Sequence, residues 1–316
     1  MKIFALIRRF MMSLIKCKND DTICNKENHE YLYHYTKIDT LEKIFNDPKG
    51  KNVELQFTDY HFLNDKDEGK WFFLFLEDHK ERIISSFDDE NRLSCKRAIN
   101  DYIEYDSYNN RREEQCVRHY SFSLSSLRDS MLFWRQDYAS ENGIALALDR
   151  TIFEEKYPQR IKAVRYLSVE TIKEILPNFE PAVKHDAEYI KSRDDYYCRN
   201  FSDCLIGART LAETDFWRIK NCSWEPENEW RIIKVKKSEK ESPKGWHTDE
   251  FGIGKYEIDN RCVPRYRVKI ENPFDEIILG PTFSNYYIKS VKEWLEQHNY
   301  KGIKVSRSVG HERIKF

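Results

Sequence analysis

Glycine and proline are scarce in this chain, 10 and 9 of 316 residues, which excludes collagen-like and low-complexity architectures. No apolar run approaches the ~20 residues a bilayer-spanning helix requires. Excess charge is also missing. Lys+Arg is 53 against 54 Asp+Glu, a formal net charge of -1, so a uniformly basic nucleic-acid coat and an acidic tail are both excluded, while a local basic groove is not. The 8 cysteines include no C-x-x-C pair. Zinc modules bring their ligands in tight pairs, so the C-x-x-H of Cys116 and His119 has no spacing support. Buried or free thiols in a reduced, cytoplasmic protein are the simplest reading. The patterns GxxxxGK[ST], GxGxxG and GxSxG are absent, which argues against P-loop, Rossmann and α/β-hydrolase chemistry.

What is present points to a folded chain. Charged residues make up 34%, above the usual ~25%. Hydrophobic residues still reach 40% and aromatics 14%, enough for a core and too aromatic for disorder. The first residues carry Lys2, Arg8, Arg9, Lys16 and Lys18, with Ile3, Leu6, Ile7, Phe10, Met11, Leu14 and Ile15 at helical spacing. Residues 1–30 therefore read as an amphipathic helix followed by a polar linker. The helix has three possible docking surfaces: the main domain, a partner protein, or an anionic membrane reached through residues 1–18.

Residues 31–316 read as a single α+β domain with a helical insertion around 168–220. Strands are expected at Tyr31–Thr36, Val53–Thr58, Val117–Ser123, Gly143–Leu148, Ile161–Leu167, Glu229–Val235, Tyr266–Ile270, Glu276–Leu279 and Ile303–Ser306. Helices are expected at Asp39–Phe45, Glu68–Phe87, Asn91–Tyr105, Arg128–Ala139 and Ser284–His298, and a polar loop at Lys236–Asn260. Strands and helices do not alternate strictly, which disfavours a doubly wound parallel sheet and favours a mixed one.

Three clusters carry chemical potential. His34 and Thr36 sit in a Tyr-rich strand, where the bland alternative is a satisfied core histidine. Ser121 and Ser123 precede Trp134 and Tyr138, where the alternative is aromatic packing. Glu227 and Glu229 form an E-x-E before Trp230 and Arg231. At the entry to a strand, positions two apart face the same side, which brings both carboxylates to one pocket; the alternative is a solvated acidic turn. A strand His, a Tyr and a strand-entry Glu suit cleavage of a nucleotide–ribose bond. A fixed carboxylate stabilises an oxocarbenium-like ribose, and an aromatic face stacks on the departing ring.

The ordered set LYHYT (Leu32–Thr36), LNDKDE (Leu63–Glu68), SFS (Ser121–Ser123), W-x-x-x-YA (Trp134–Ala139), NGIALALD (Asn142–Asp149), WEPENEWRII (Trp224–Ile233) and IILG (Ile277–Gly280) resembles the bacterial domain of unknown function 2971 family. The resemblance runs from about Tyr31 to Ser306, and its H-x-T and E-x-E-W-R strands are in turn similar to the ADP-ribosyltransferase fold. That likeness implies a mixed, mostly antiparallel split sheet with helical insertions. It also implies an enzyme that takes NAD as substrate, without a metal, and passes ADP-ribose to a protein or nucleic-acid acceptor or to water, as in bacterial anti-phage defence or toxin effectors. On it, His34 and Thr36 hold the ribose, and Tyr138 or Trp134 stacks on nicotinamide. Glu229 is the catalytic carboxylate and Glu227 orients the acceptor. Ser123, Arg231 and Asn64 are further binding residues. The likeness is imperfect at Tyr138, which reads as helical. Two other readings stay open. One is a non-catalytic nucleotide or nucleic-acid binding module using Lys234, Lys236, Lys237, Lys240 and Lys244. The other is a metal-dependent nuclease using Asp65, Asp67 and Glu68.

Overall fold

The computed structural model describes residues 30–65, 71–85, 89, 92–93, 96, 100, 118–135, 138–140, 142–158, 160–167, 219–236, 247–249 and 251–309. The expected N-terminal helix, most of Asn91–Tyr105 and the insertion at 168–218 lie outside the described residues. The chain divides into two compact units. The larger holds the described parts of Glu27–Leu63, His119–Val164 and Pro226–Phe316, and the smaller those of Asn64–Arg118 and Arg165–Glu225.

In chain order the strands are β1 (Tyr31–Lys37), β2 (Asn52–Asp59), β3 (Arg118–Ser125), β4 (Gly143–Asp149), β5 (Ile161–Ala163), β6 (Arg165–Leu167), β7 (Ile219–Asn221), β8 (Glu229–Lys236), β9 (His247–Asp249), β10 (Gly252–Ile258), β11 (Pro264–Glu271), β12 (Phe274–Leu279) and β13 (Lys304–Arg307). The α-helices are α1 (Leu41–Ile44), α2 (Trp71–Ser85), α3 (Arg150–Lys156) and α4 (Asn285–Gln297). Among the described residues, β6 and β7 form a parallel pair and the other strands form an 11-stranded sheet ordered β13-β12-β4-β1-β3-β2-β11-β10-β9, with β8 on β3 and β5 on β8. The β1–β3, β1–β4, β2–β3, β2–β11, β4–β12, β5–β8, β9–β10 and β10–β11 pairs are antiparallel and the β12–β13 pair is parallel. The class is therefore α+β with a mixed, mostly antiparallel sheet.

Alternation explains which residues are inside. On β1, Leu32 faces the main apolar cluster, together with Ile144, Leu146 and Leu148 of β4. Phe57, Phe122, Ile232, Val268, Ile277 and Leu295 complete that face. The intervening Tyr33, Ala145 and Ala147 pack with Trp134, Ala139 and Ile278 on the other. Because β4 is covered on both faces, it reads as an unbroken apolar run. On α4, Val291 and Leu295 are buried one turn apart, the spacing of an inward helical face.

Several sequence expectations change. The described residues of Arg128–Ala139 form bends and turns, not a helix. Their side chains bind locally instead: Ser130 Oγ accepts from Leu132 N at 3.3 Å, and Asp129 takes the Trp134 indole N–H at 2.7 Å. Such bonds compete with the helical ladder. Ile161–Leu167 is two strands in different sheets, parted at Val164, whose N–H donates to the Glu229 carbonyl at 2.8 Å. The expected loop at Lys236–Asn260 contains β9 and β10. Asp39–Phe45 shortens to a 3-10 turn and α1, with Leu41 and Ile44 buried. Among the described residues, no helix is long and apolar enough to cross a membrane.

Candidate functional site

Strand β3 pairs with β1, β2 and β8, three partners for a strand with two edges. The β1 contact is a single register position, Tyr33 with Ser125, and the β2 contact covers Thr58 with Ser121 and Asp59 with Tyr120. Between them lies Ser123, whose carbonyl is 2.9 Å from His34 Nδ1. A side chain thus makes the bond that a strand would otherwise make, at the point where β1 and β3 part. A carbonyl only accepts, so Nδ1 carries the proton and the neutral ring keeps Nε2 as an acceptor. The ring stacks on Phe122 at 4.2 Å. Burial lowers its pKa from 6.5 to about 4, against the smaller opposing effect of the Ser123 bond.

On β8, Ile232 faces the main cluster and Trp230 packs against it. Glu229 and Arg231 alternate with them and project from the opposite face. Arg231 donates through Nε to Glu229 Oε1 at 2.7 Å and through Nη2 to Oε2 at 2.8 Å. The pair is sequestered, with side chains 2% and 7% exposed. Glu227 is not on the strand. It ends a 3-10 turn, Cys222–Glu227, and Asn228 after it adopts φ 44°. That left-handed residue breaks the extended run, so the same-face pair is Glu229 with Arg231, and strand alternation does not align the E-x-E carboxylates. His34 lies on the face of Leu32 and Leu146. Alternation therefore sets His34 and Glu229 on different faces of the sheet, so the strand His and strand-entry Glu matched to one nucleotide site do not share a face.

The structure does join Tyr138 and Glu227. The phenol donates to Glu227 Oε1, and the Glu227 carboxylate is buried. An aromatic ladder leads there: Trp134 meets Tyr35 edge-on at 5.0 Å, Tyr35 stacks on Phe133 at 4.4 Å, and Phe133 meets Tyr138 edge-on at 5.1 Å. Trp134 is 1% exposed and packed among Tyr33, Ala139 and Ile278, so it offers no open ring face for nicotinamide. Tyr138 is only half-buried. Tyr35 Oη donates to the Leu127 carbonyl at 2.6 Å, and burial pushes its pKa well above the ordinary tyrosine value, against the smaller opposing effect of the Ser130 amide bond. Thr40 Oγ1 gives its proton to the Lys37 carbonyl at 2.7 Å, so Thr36, 3.0 Å from it, must donate to Thr40 and is left with acceptor capacity. Asn64 is exposed and belongs to the smaller unit.

Sequence reasoning missed Ser125, Tyr35 and Phe133, whose roles depend on the turns between β3 and β4. It also missed the contact of buried Asp59 with His61, Oδ1 to Nδ1 at 2.9 Å, although D-x-H after a strand was there to be read. For the other readings, Asp65 is buried, while Asp67 and Glu68 lie outside the described residues. No group of three or more metal-competent side chains occurs among the described residues. Lys234 turns inward, 5.1 Å from the Tyr266 ring, and Lys237, Lys240 and Lys244 lie outside the described residues. Comparisons with protein-family models, curated proteins and solved structures find no match.

Proposed function

We propose that the chain consumes NAD at the turn and strand carrying Glu227 and Glu229, as an ADP-ribosyltransferase-like enzyme. The observation that carries the reading is a buried carboxylate locked in orientation by Arg231, two residues from a second carboxylate that takes a tyrosine hydroxyl. The C–N bond between ribose and nicotinamide breaks, and nicotinamide leaves with the electron pair. Glu229 stabilises the ribose cation, and substrate entry displaces one of the two Arg231 bonds that occupy its oxygens. An acceptor oxygen or nitrogen then bonds to the ribose carbon and releases its proton to solvent water, with Glu227 orienting the acceptor through hydrogen bonding. Tyr138 supplies a ring edge and a hydroxyl beside that carboxylate. His34, on the other face of the sheet, contributes only by fixing the Ser123 backbone at the β1–β3 junction. The acceptor is a macromolecule or water, and the setting implied by the resemblance is a bacterial defence or toxin effector.

The test is incubation of the full chain with NAD and a bacterial lysate, with free nicotinamide, ADP-ribose and mass-shifted proteins measured. Wild type is expected to release nicotinamide. Glu227→Gln and Glu229→Gln, checked as folded by circular dichroism, are expected to lose at least tenfold in rate. Release of no nicotinamide by wild type, or unchanged release by folded Glu229→Gln, sinks the reading. NAD binding without turnover, weakening with salt, turns it into a binding module.

A further inference from the structure

Tyr138 reaches Glu227 across 89 positions of sequence, so something must hold the two carriers in step. Glu227 sits at the end of a 3-10 turn, and Tyr138 in the run of turns that leaves β3. One buried hydroxyl touches both carriers. Ser125 Oγ donates to the Glu227 carbonyl at 2.7 Å, and the same oxygen accepts from Leu127 N at 3.1 Å. A hydroxyl has one proton, and here it is committed to Glu227, which leaves lone pairs for the Leu127 amide. The next residue strengthens the link, since Ser126 N donates to the Asn228 carbonyl at 3.2 Å. Leu127 is in turn fastened to the aromatic ladder, because its carbonyl takes the Tyr35 hydroxyl. Ser125 is 2% exposed, so solvent has little access to replace either bond.

We infer that Ser125 is a positioning residue: its hydroxyl fastens the Glu227 turn and the Tyr138 turns to one point and thereby sets the Tyr138–Glu227 contact. The functional meaning of this inference rests on the reading above, because it concerns the same carboxylate. The contact itself is open to measurement whether or not the chain consumes NAD. Loss of the hydroxyl frees the Glu227 carbonyl and the Leu127 amide together, and the two carriers then drift relative to each other.

The experiment places fluorotyrosine at position 138 of the full chain and reads its fluorine NMR shift. Glu227→Gln defines the shift of the altered pair. Ser125→Ala and Ser125→Cys, the latter keeping the side-chain branching in a slightly larger group with a much weaker donor, are expected to move the resonance at least halfway to that value. Both variants are first checked for a cooperative melt, and if one fails to fold the other decides. A wild-type shift in a folded Ser125 variant overturns the inference, as does a Glu227→Gln shift equal to wild type. The same samples are assayed with NAD. Absent turnover in wild type refutes the proposed function alone, whereas unmoved fluorine shifts refute the role of Ser125 alone.

Discussion

Arg231 grips both carboxylate oxygens of Glu229 from two positions along the same strand, and the paired side chains are almost wholly removed from solvent. Breaking a buried pair leaves one charge stranded, at a cost of about 3–5 kcal/mol. Arg231→Gln and Glu229→Gln are each expected to lower unfolding free energy by about that much in urea melts. The double variant Glu229→Leu/Arg231→Met removes both charges and is expected to recover most of the loss. A double variant no better than the singles would show that the pair is not the dominant interaction of either side chain.

His34 ties stability to pH. Its folded pKa is about 4 against an ordinary 6.5, with burial as the main cause. Between those values the unfolded chain binds more protons than the folded one, so stability rises with pH through that window. The His34 contribution is fully present above pH 6.5, falls progressively as pH drops toward 4, and changes no further below it. At ~1.4 kcal/mol per pKa unit, the change amounts to about 3 kcal/mol. Urea melts across this range are expected to show a slope in wild type that is flattened in His34→Gln. Equal slopes would mean that the ring is not held neutral by the fold.

Much of the sheet was legible because its strands obey simple patterns. GIALAL is apolar throughout because both faces of β4 are covered, and EWRI alternates because one face meets the main cluster. The E-x-E motif misled, since a left-handed Asn228 lies between its carboxylates and starts the strand only at Glu229. Propensity does not announce that turn. Strand β10 was hidden by Gly252, Gly254 and Lys255, residues that weaken a strand signal. The reason for Gly254 is tertiary: a Cβ there would lie 2.4 Å from the Tyr266 hydroxyl. Tyr138 was legible as a candidate, but its partner was not, because the contact spans turns stabilised by Asp129, Ser125 and Tyr35.

Gly143 is where those turns return to the sheet. A Cβ at this position would meet the Ala139 carbonyl oxygen at 2.3 Å and the Ala139 Cβ at 2.5 Å. Those are buried neighbours without a flexible end to give way. Gly143→Ala is therefore expected to destabilise by at least the ~1–3 kcal/mol typical of overpacking, and to lower the melting temperature by several degrees. Thermal melts compared with Gly302→Ala provide a control, since nothing lies within 4 Å of a Cβ there, although its φ of 86° adds strain of its own. A loss in Gly143→Ala no larger than that in Gly302→Ala would show that the crowding against Ala139 is relieved at little cost.

The Tyr138–Glu227 pair is best separated from its surroundings by a thermodynamic cycle. Tyr138→Phe keeps the ring against Phe133 and removes only the hydroxyl, leaving a buried carboxylate short of one donor. Such a loss costs about 1–3 kcal/mol. Glu227→Gln keeps the shape and an acceptor oxygen but removes the charge. Residues in direct contact couple, whereas distant ones add within about 0.5 kcal/mol. The double variant is therefore expected to be more stable than the sum of the two single losses implies, by about 1 kcal/mol or more. In the NAD assay the same logic gives single losses of at least tenfold that do not multiply in the double variant, because either change disables the one unit that orients the acceptor. Strict additivity in both measurements would show that the phenol and the carboxylate act independently, and would remove the pair from the proposed site.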